Sequence, residues 1–82
     1  MSRPVKRSLT LNGHRTSVSI EDEFWRAFRR IATERGQPLN QLAAEIDAGR
    51  GSGNGDPQLG LATAIRLFVL TDLQARLAGK TP

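Results

Sequence analysis

The sequence contains no cysteine, which excludes a disulfide framework and a thiolate metal site and fits a reducing, cytoplasmic setting. Its one histidine, His14, sits beside a turn signal with no acid near it in sequence, so a general base would have no carboxylate to orient it. No metal-ligand spacing occurs. Glu45 and Asp47 fall two apart on a helical stretch, hence on different faces, and do not make a carboxylate pair. Enzyme chemistry, a metal and a cofactor are therefore not expected. A membrane span is not expected either. The longest apolar-rich stretch, Leu59 to Leu77, is broken by Arg66, Asp72, Gln74 and Arg76. The N-terminus has no unbroken apolar run that would mark a signal peptide.

Acid is missing from one part of the chain. Residues 1–20 carry Arg3, Lys6, Arg7 and Arg15 and no Asp or Glu, while the remaining bases balance all eight acids. The whole formal charge of +4 thus falls on the N-terminal segment. A localised basic patch attracts polyanions with strong salt dependence. At 82 residues the chain is one small domain, and a monomer of this size is marginal without a partner.

After a tail over residues 1–5, two alternating runs flank Asn12-Gly13, a strong short-range hairpin signal because a type I′ turn needs positive φ at both centres. Folding there sets Leu11 against His14, Thr10 against Arg15, Leu9 against Thr16 and Ser8 against Ser17. Leu9 and Leu11 then share a face with Thr16, Val18 and Ile20. Lys6, Ser8 and Thr10 join Arg15, Ser17 and Ser19 on the other. The strand over 14–20 is the firmer of the two; residues 6–11 read either as its partner or as a basic arm whose Lys6 and Arg7 track phosphates.

Glu21, Asp22 and Glu23 suit the positive end of a helix dipole, and Phe24, Phe28, Ile31 and Ala32 recur at helical spacing, predicting a helix over 22–35 that Gly36 ends. A second helix over 38–48 opens at Pro38, with Leu39, Leu42, Ala43 and Ile46 as its stripe. The glycine-rich loop at 49–58 lacks the preceding strand and Gly-Lys-Ser/Thr ending of a phosphate-binding loop and reads as a connection. The last helix, over 59–77, carries Leu61, Ile65, Phe68, Val69 and Leu73 along one face, while Leu67 and Leu70 extend its apolar surface round the cylinder. So small a chain cannot cover such a helix on all sides, and a second copy is the economical solution. The domain thus spans 6–78, with a tail at 79–82.

Strand, helix, glycine turn and helix in this order resemble the ribbon-helix-helix family of DNA-binding proteins, the Arc/MetJ-like superfamily. The resemblance is carried by Arg15 to Ile20, Glu21 to Trp25 and Arg35-Gly36-Gln37-Pro38-Leu39-Asn40. Lys6-Arg7-Ser8, Gly13-His14-Arg15-Thr16-Ser17 and Ala64 to Leu70 are also similar to a bacterial subgroup of it. The implied fold class is mainly α with a short β-ribbon: an intertwined homodimer with an extra C-terminal helix after the Gly-rich loop. The implied function is a sequence-specific DNA-binding protein, a bacterial transcriptional regulator inserting a dimeric β-ribbon into the major groove of double-stranded DNA. Carried over, Arg15, Ser17 and Ser19 would read bases, Arg15 being suited to bidentate contact with guanine. Leu39 and Asn40 would receive a phosphate at the helix start. Thr16, Val18, Ile20, Phe24, Phe28, Ile31, Leu42, Ile46, Ile65, Phe68 and Val69 would form the core and dimer contacts.

Two departures bear on this. A strand at 6–11 would make the dimer's sheet four strands wide, more than the groove accommodates. The extra last helix invites further oligomerisation, or an antitoxin-like role in which that helix binds another protein. RNA binding has little support, because Trp25, Phe24, Phe28 and Phe68 fall on helices as core rather than on a sheet as stacking platforms.

Overall fold

Asn12 and Gly13 both adopt positive φ, 52° and 82°, the pair of values that a type I′ turn requires. They close an antiparallel hairpin of β1 (Val5–Leu11) and β2 (His14–Ile20). The register runs from Leu11 opposite His14 to Val5 opposite Ile20. The expected pairing is present, and residues 6–11 are strand rather than arm. The computed structural model describes residues 3–50 and 60–79; most of the loop expected at 49–58, and the start of the last helix at Leu59, lie outside them.

One hairpin face is packed. Leu9, Leu11, Val18 and Ile20 are buried on it and Thr16 is half-buried. On the other face Lys6, Ser8, Thr10, Arg15, Ser17 and Ser19 are all exposed. Three helices follow: α1 (Asp22–Glu34), α2 (Leu39–Arg50) and α3 (Leu61–Gly79). Helix α1 begins after an extended Glu21, whose carbonyl accepts the Trp25 N–H at 3.0 Å, and Asp22 and Glu23 occupy its first turn. It ends in a Schellman motif. The Gly36 N–H donates to Thr33 O and the Gln37 N–H to Ala32 O, both at 3.0 Å. Gly36 sits at φ +67°, a conformation in which a side chain is strained.

Helix α2 starts one residue later than the proline suggests. The Pro38 carbonyl accepts from Gln41 N–H and Leu42 N–H, at 3.0 and 3.1 Å. Pro38 therefore holds the N-cap position and Leu39 is the first helical residue, rather than Pro38 itself. A proline fits there because an N-cap residue contributes its carbonyl and needs no N–H.

The core lies between the packed hairpin face and the helices. Strand β1 lies against α2 and β2 against α3, which also touches α1. Phe28, Ile31, Leu42, Ile65 and Val69 are almost wholly buried with Ile20, while Phe24, Ile46 and Phe68 are half-buried and pack against them. Phe28 is central. Its ring stands edge-on to Phe68 at 6.3 Å and tilted against Trp25 at 6.0 Å, separations at which aromatic pairs attract. Of the residues expected in the core and dimer contacts, all but the half-buried Thr16 meet within one chain, because α3 closes the space over the hairpin and α1. Among the described residues no helix is long and apolar enough to cross a membrane.

Candidate nucleic-acid interface

The exposed hairpin face is built by alternation alone. Every second side chain of β1 and β2 points away from the core, and these are four hydroxyl residues, one lysine and one arginine, with no acid among them. Among the described residues neither Lys6 nor Arg15 has an acidic partner. Cross-strand pairing sets Ser8 beside Ser17, Thr10 beside Arg15 and Lys6 beside Ser19. Three of the six are the residues expected to read bases, Arg15, Ser17 and Ser19. Lys6, Ser8 and Thr10 double the width of the same surface.

Arg7 is not on that face. Expected beside Lys6 as a phosphate contact, it shares the packed side with Leu9 and lies opposite Val18. Its guanidinium donates to Asp22 Oδ1 at 3.1 Å and lies 5.3 Å from the Trp25 ring centre, within cation–π range. Strand alternation puts it there, and the first turn of α1 supplies both partners. Arg7 fastens the hairpin to α1 instead of facing solvent.

Each edge of the hairpin has one outward backbone group bonded to a side chain. In a hairpin closed by a two-residue turn, the backbone groups of Thr10 and Ser19 point out of the ribbon rather than across it. The Thr10 N–H donates to Asn40 Oδ1 at 3.1 Å, on the α2 side. The Ser19 carbonyl accepts from Arg66 Nη2 at 3.2 Å, on the α3 side. Arg66 also donates from Nε to Glu21 Oε1 at 2.8 Å. That hydrogen bond holds the Glu21 carboxyl below its ordinary pKa, with the backbone of Glu21 helping. Asn40, expected at a phosphate, thus has its side-chain oxygen committed to the ribbon edge. The start of α2, with Leu39 half-buried and Asn40 exposed, is drawn up beside Thr10. Its first N–H groups have no intrahelical acceptor by the rule for helix starts.

Sequence reasoning misses Arg66 and Asp22 as functional supports. In sequence Arg66 is only a charge interrupting an apolar run, and what it touches lies more than forty residues away. His14 is exposed and shares a shallow cleft by the turn with Leu11, Asn12, Thr16, Asp47 and Leu61. Among the described residues no three His, Asp or Glu side chains gather as a metal site would require.

The ribbon-helix-helix domain family matches residues 4–73, from just before β1 into α3. The chain is a ribbon-helix-helix protein. That family is in general of a DNA-binding, regulator type. No curated protein and no solved structure matches the chain. The family match includes both strands of the hairpin, which belong to one molecule and are joined by Asn12-Gly13.

Proposed function

We propose that this ribbon-helix-helix protein is a bacterial, cytoplasmic transcription regulator that binds specific duplex DNA by laying the exposed hairpin face in the major groove. The observation that carries the reading is that face: six exposed side chains, two cationic, four hydroxylic and none acidic, on a ribbon two strands wide. Paired strands lie about 4.8 Å apart, and the major groove, about 12 Å wide, admits a two-stranded ribbon. A single chain's hairpin therefore suffices. A sheet of four strands is not needed, which removes the width difficulty that a second strand raises.

Arg15 presents two parallel N–H donors to the O6 and N7 of guanine, and Ser17 and Ser19 donate or accept at neighbouring base edges. Lys6, near the open end of the hairpin, meets phosphate, as do the backbone N–H groups of Leu39 and Asn40 with the α2 dipole behind them. Asn40 bonded to Thr10 holds that helix start in register with the ribbon. Arg7 has no part in the contact. The protein acts as a homodimer, so that two hairpins read two half-sites.

The test is selection of bound duplexes from a random pool at two salt concentrations, followed by affinity measurements on the enriched site. A shared sequence is expected to emerge and to survive the higher salt. Recovery of unrelated duplexes that all release at higher salt would leave only charge-driven, non-specific binding.

A further inference from the structure

Strand β2 has to leave the sheet and enter α1 within two residues, and Ser19 is its last outward side chain before it does. Ile20 beyond it is fully buried, and Glu21 is the N-cap of α1, extended at φ −66° and ψ 148°. The side chain of Glu21 makes no hydrogen bond to the helix start that it caps. It accepts instead from Arg66 Nε at 2.8 Å, while Arg66 Nη2 donates to the Ser19 carbonyl at 3.2 Å. One guanidinium on α3 thus grips the chain on both sides of Ile20. Its own backbone is anchored, because Ile65 before it is fully buried and Val69, three residues on, nearly so.

The opposite strand offers this end of the hairpin little cover. Val5, which pairs with Ile20, begins β1 and is 47% exposed. The first residues of a domain are poorly ordered unless something ties them down. Position at the open end of the ribbon therefore has to come from the helices, and Arg66 is the side chain that brings it.

We propose that Arg66 is the positioning residue for Ser19: its two-pronged grip fixes where the Ser19 hydroxyl stands in the hairpin face, and so sets the sequence preference at the base pair which that hydroxyl meets. The inference rests on the groove reading of the hairpin face and deepens it. A planar guanidinium holds two acceptors at once in a fixed geometry, which the point charge of a lysine on its flexible stem does not. The grip uses one carbonyl near the end of β2, and it does not require the rest of that edge to be free of a pairing strand.

The first test needs no DNA. In amide NMR relaxation of the full chain, Arg66→Lys is expected to lower the order parameters of the Ser19 and Ile20 N–H groups from the rigid level of about 0.85 to nearer 0.6, with those of Thr10 to Arg15 unchanged. The second is a double-mutant cycle, read as the ratio of affinity for the selected duplex to affinity for a scrambled one. Ser19→Ala and Arg66→Lys should each lower this ratio by about three- to tenfold. The double variant should lose no more than either alone, because Arg66 acts only through Ser19. Since lysine keeps the charge, the salt slope of Arg66→Lys should match wild type.

Order parameters at Ser19 that do not move, or losses that multiply in the double variant, would overturn the proposal; a merely structural role gives the second. Arg66→Gln with a reduced salt slope and an unchanged ratio would make Arg66 a phosphate contact and overturn it as well. A wild-type chain with no sequence preference would sink the groove reading, and the relaxation data would still decide whether Arg66 holds Ser19.

Discussion

The hairpin and α3 each pack one face into the same core and leave the other in water, and those two outward faces are chemical opposites. The hairpin's carries hydroxyls, an ammonium and a guanidinium; that of α3 carries leucines. Their periodicities differ as well, two residues for the strand and three to four for the helix. Exposure alone therefore says little about a surface. Hydroxyl and guanidinium groups lose little by staying solvated until an anionic, hydrogen-bonding partner arrives, whereas exposed leucines gain whenever they are removed from water.

The contrast breaks most completely if the shared core fails. Phe28→Ala removes the ring that links Trp25, Phe68 and the hairpin's underside, and is expected to cost about 3–5 kcal/mol in urea denaturation. Both faces should be lost together, since neither has a core of its own. A variant that lost DNA binding while keeping full stability would show that Phe28 is not the common support.

Next in size is Arg15→Ala. Loss of a bidentate base contact should weaken the selected site by about 1–3 kcal/mol in a titration, with melting temperature and dimer unchanged. Unaltered affinity would remove Arg15 from the base-reading set. Lys6→Ala should act more weakly and evenly. Affinity for any duplex would fall, and the slope of log affinity against log salt would drop by about one unit per site. A loss confined to the selected sequence would instead make Lys6 a base reader.

The smallest effect is on pH dependence at Glu21. Its carboxyl pKa is lowered in the folded chain from 4.5, chiefly by the hydrogen bond from Arg66. A lowered folded pKa means that the stabilisation is present above the unfolded value and is lost as pH falls through the folded one. Glu21→Gln should therefore be slightly less stable than wild type at neutrality, with the two converging as pH falls below 4.5, so that the variant's acid limb is the shallower. An identical acid limb would mean that the Glu21–Arg66 pair contributes nothing to stability, as exposed pairs often do.

Much of this is legible in the residues, and the reasons are specific. Asn12-Gly13 between alternating runs determines the turn type, and with it the register of seven pairs and the membership of both faces. Gly36 marks the end of α1 because few other residues tolerate its φ. What escapes is long-range. That Arg7 faces Asp22 and Trp25 depends on how α1 sits under the hairpin. Arg66 reaches Ser19 and Glu21 only because α3 lies along β2. Pro38 reads one position too far into its helix, since a proline can either cap a helix or begin it and the local sequence does not distinguish the two. The apolar excess of α3 is visible, but its division into a buried half and an exposed half needs the packing of Ile65 and Val69 against the core.

Joining both ribbon strands through a two-residue turn also alters how the surface depends on abundance. A ribbon assembled from separate molecules exists only where those molecules have met, so dilution dissolves it. Here the six side chains are brought together by a unimolecular step, and a lone newly made chain already displays them in full. The surface therefore does not depend on concentration for its assembly, only for its encounter with whatever it binds.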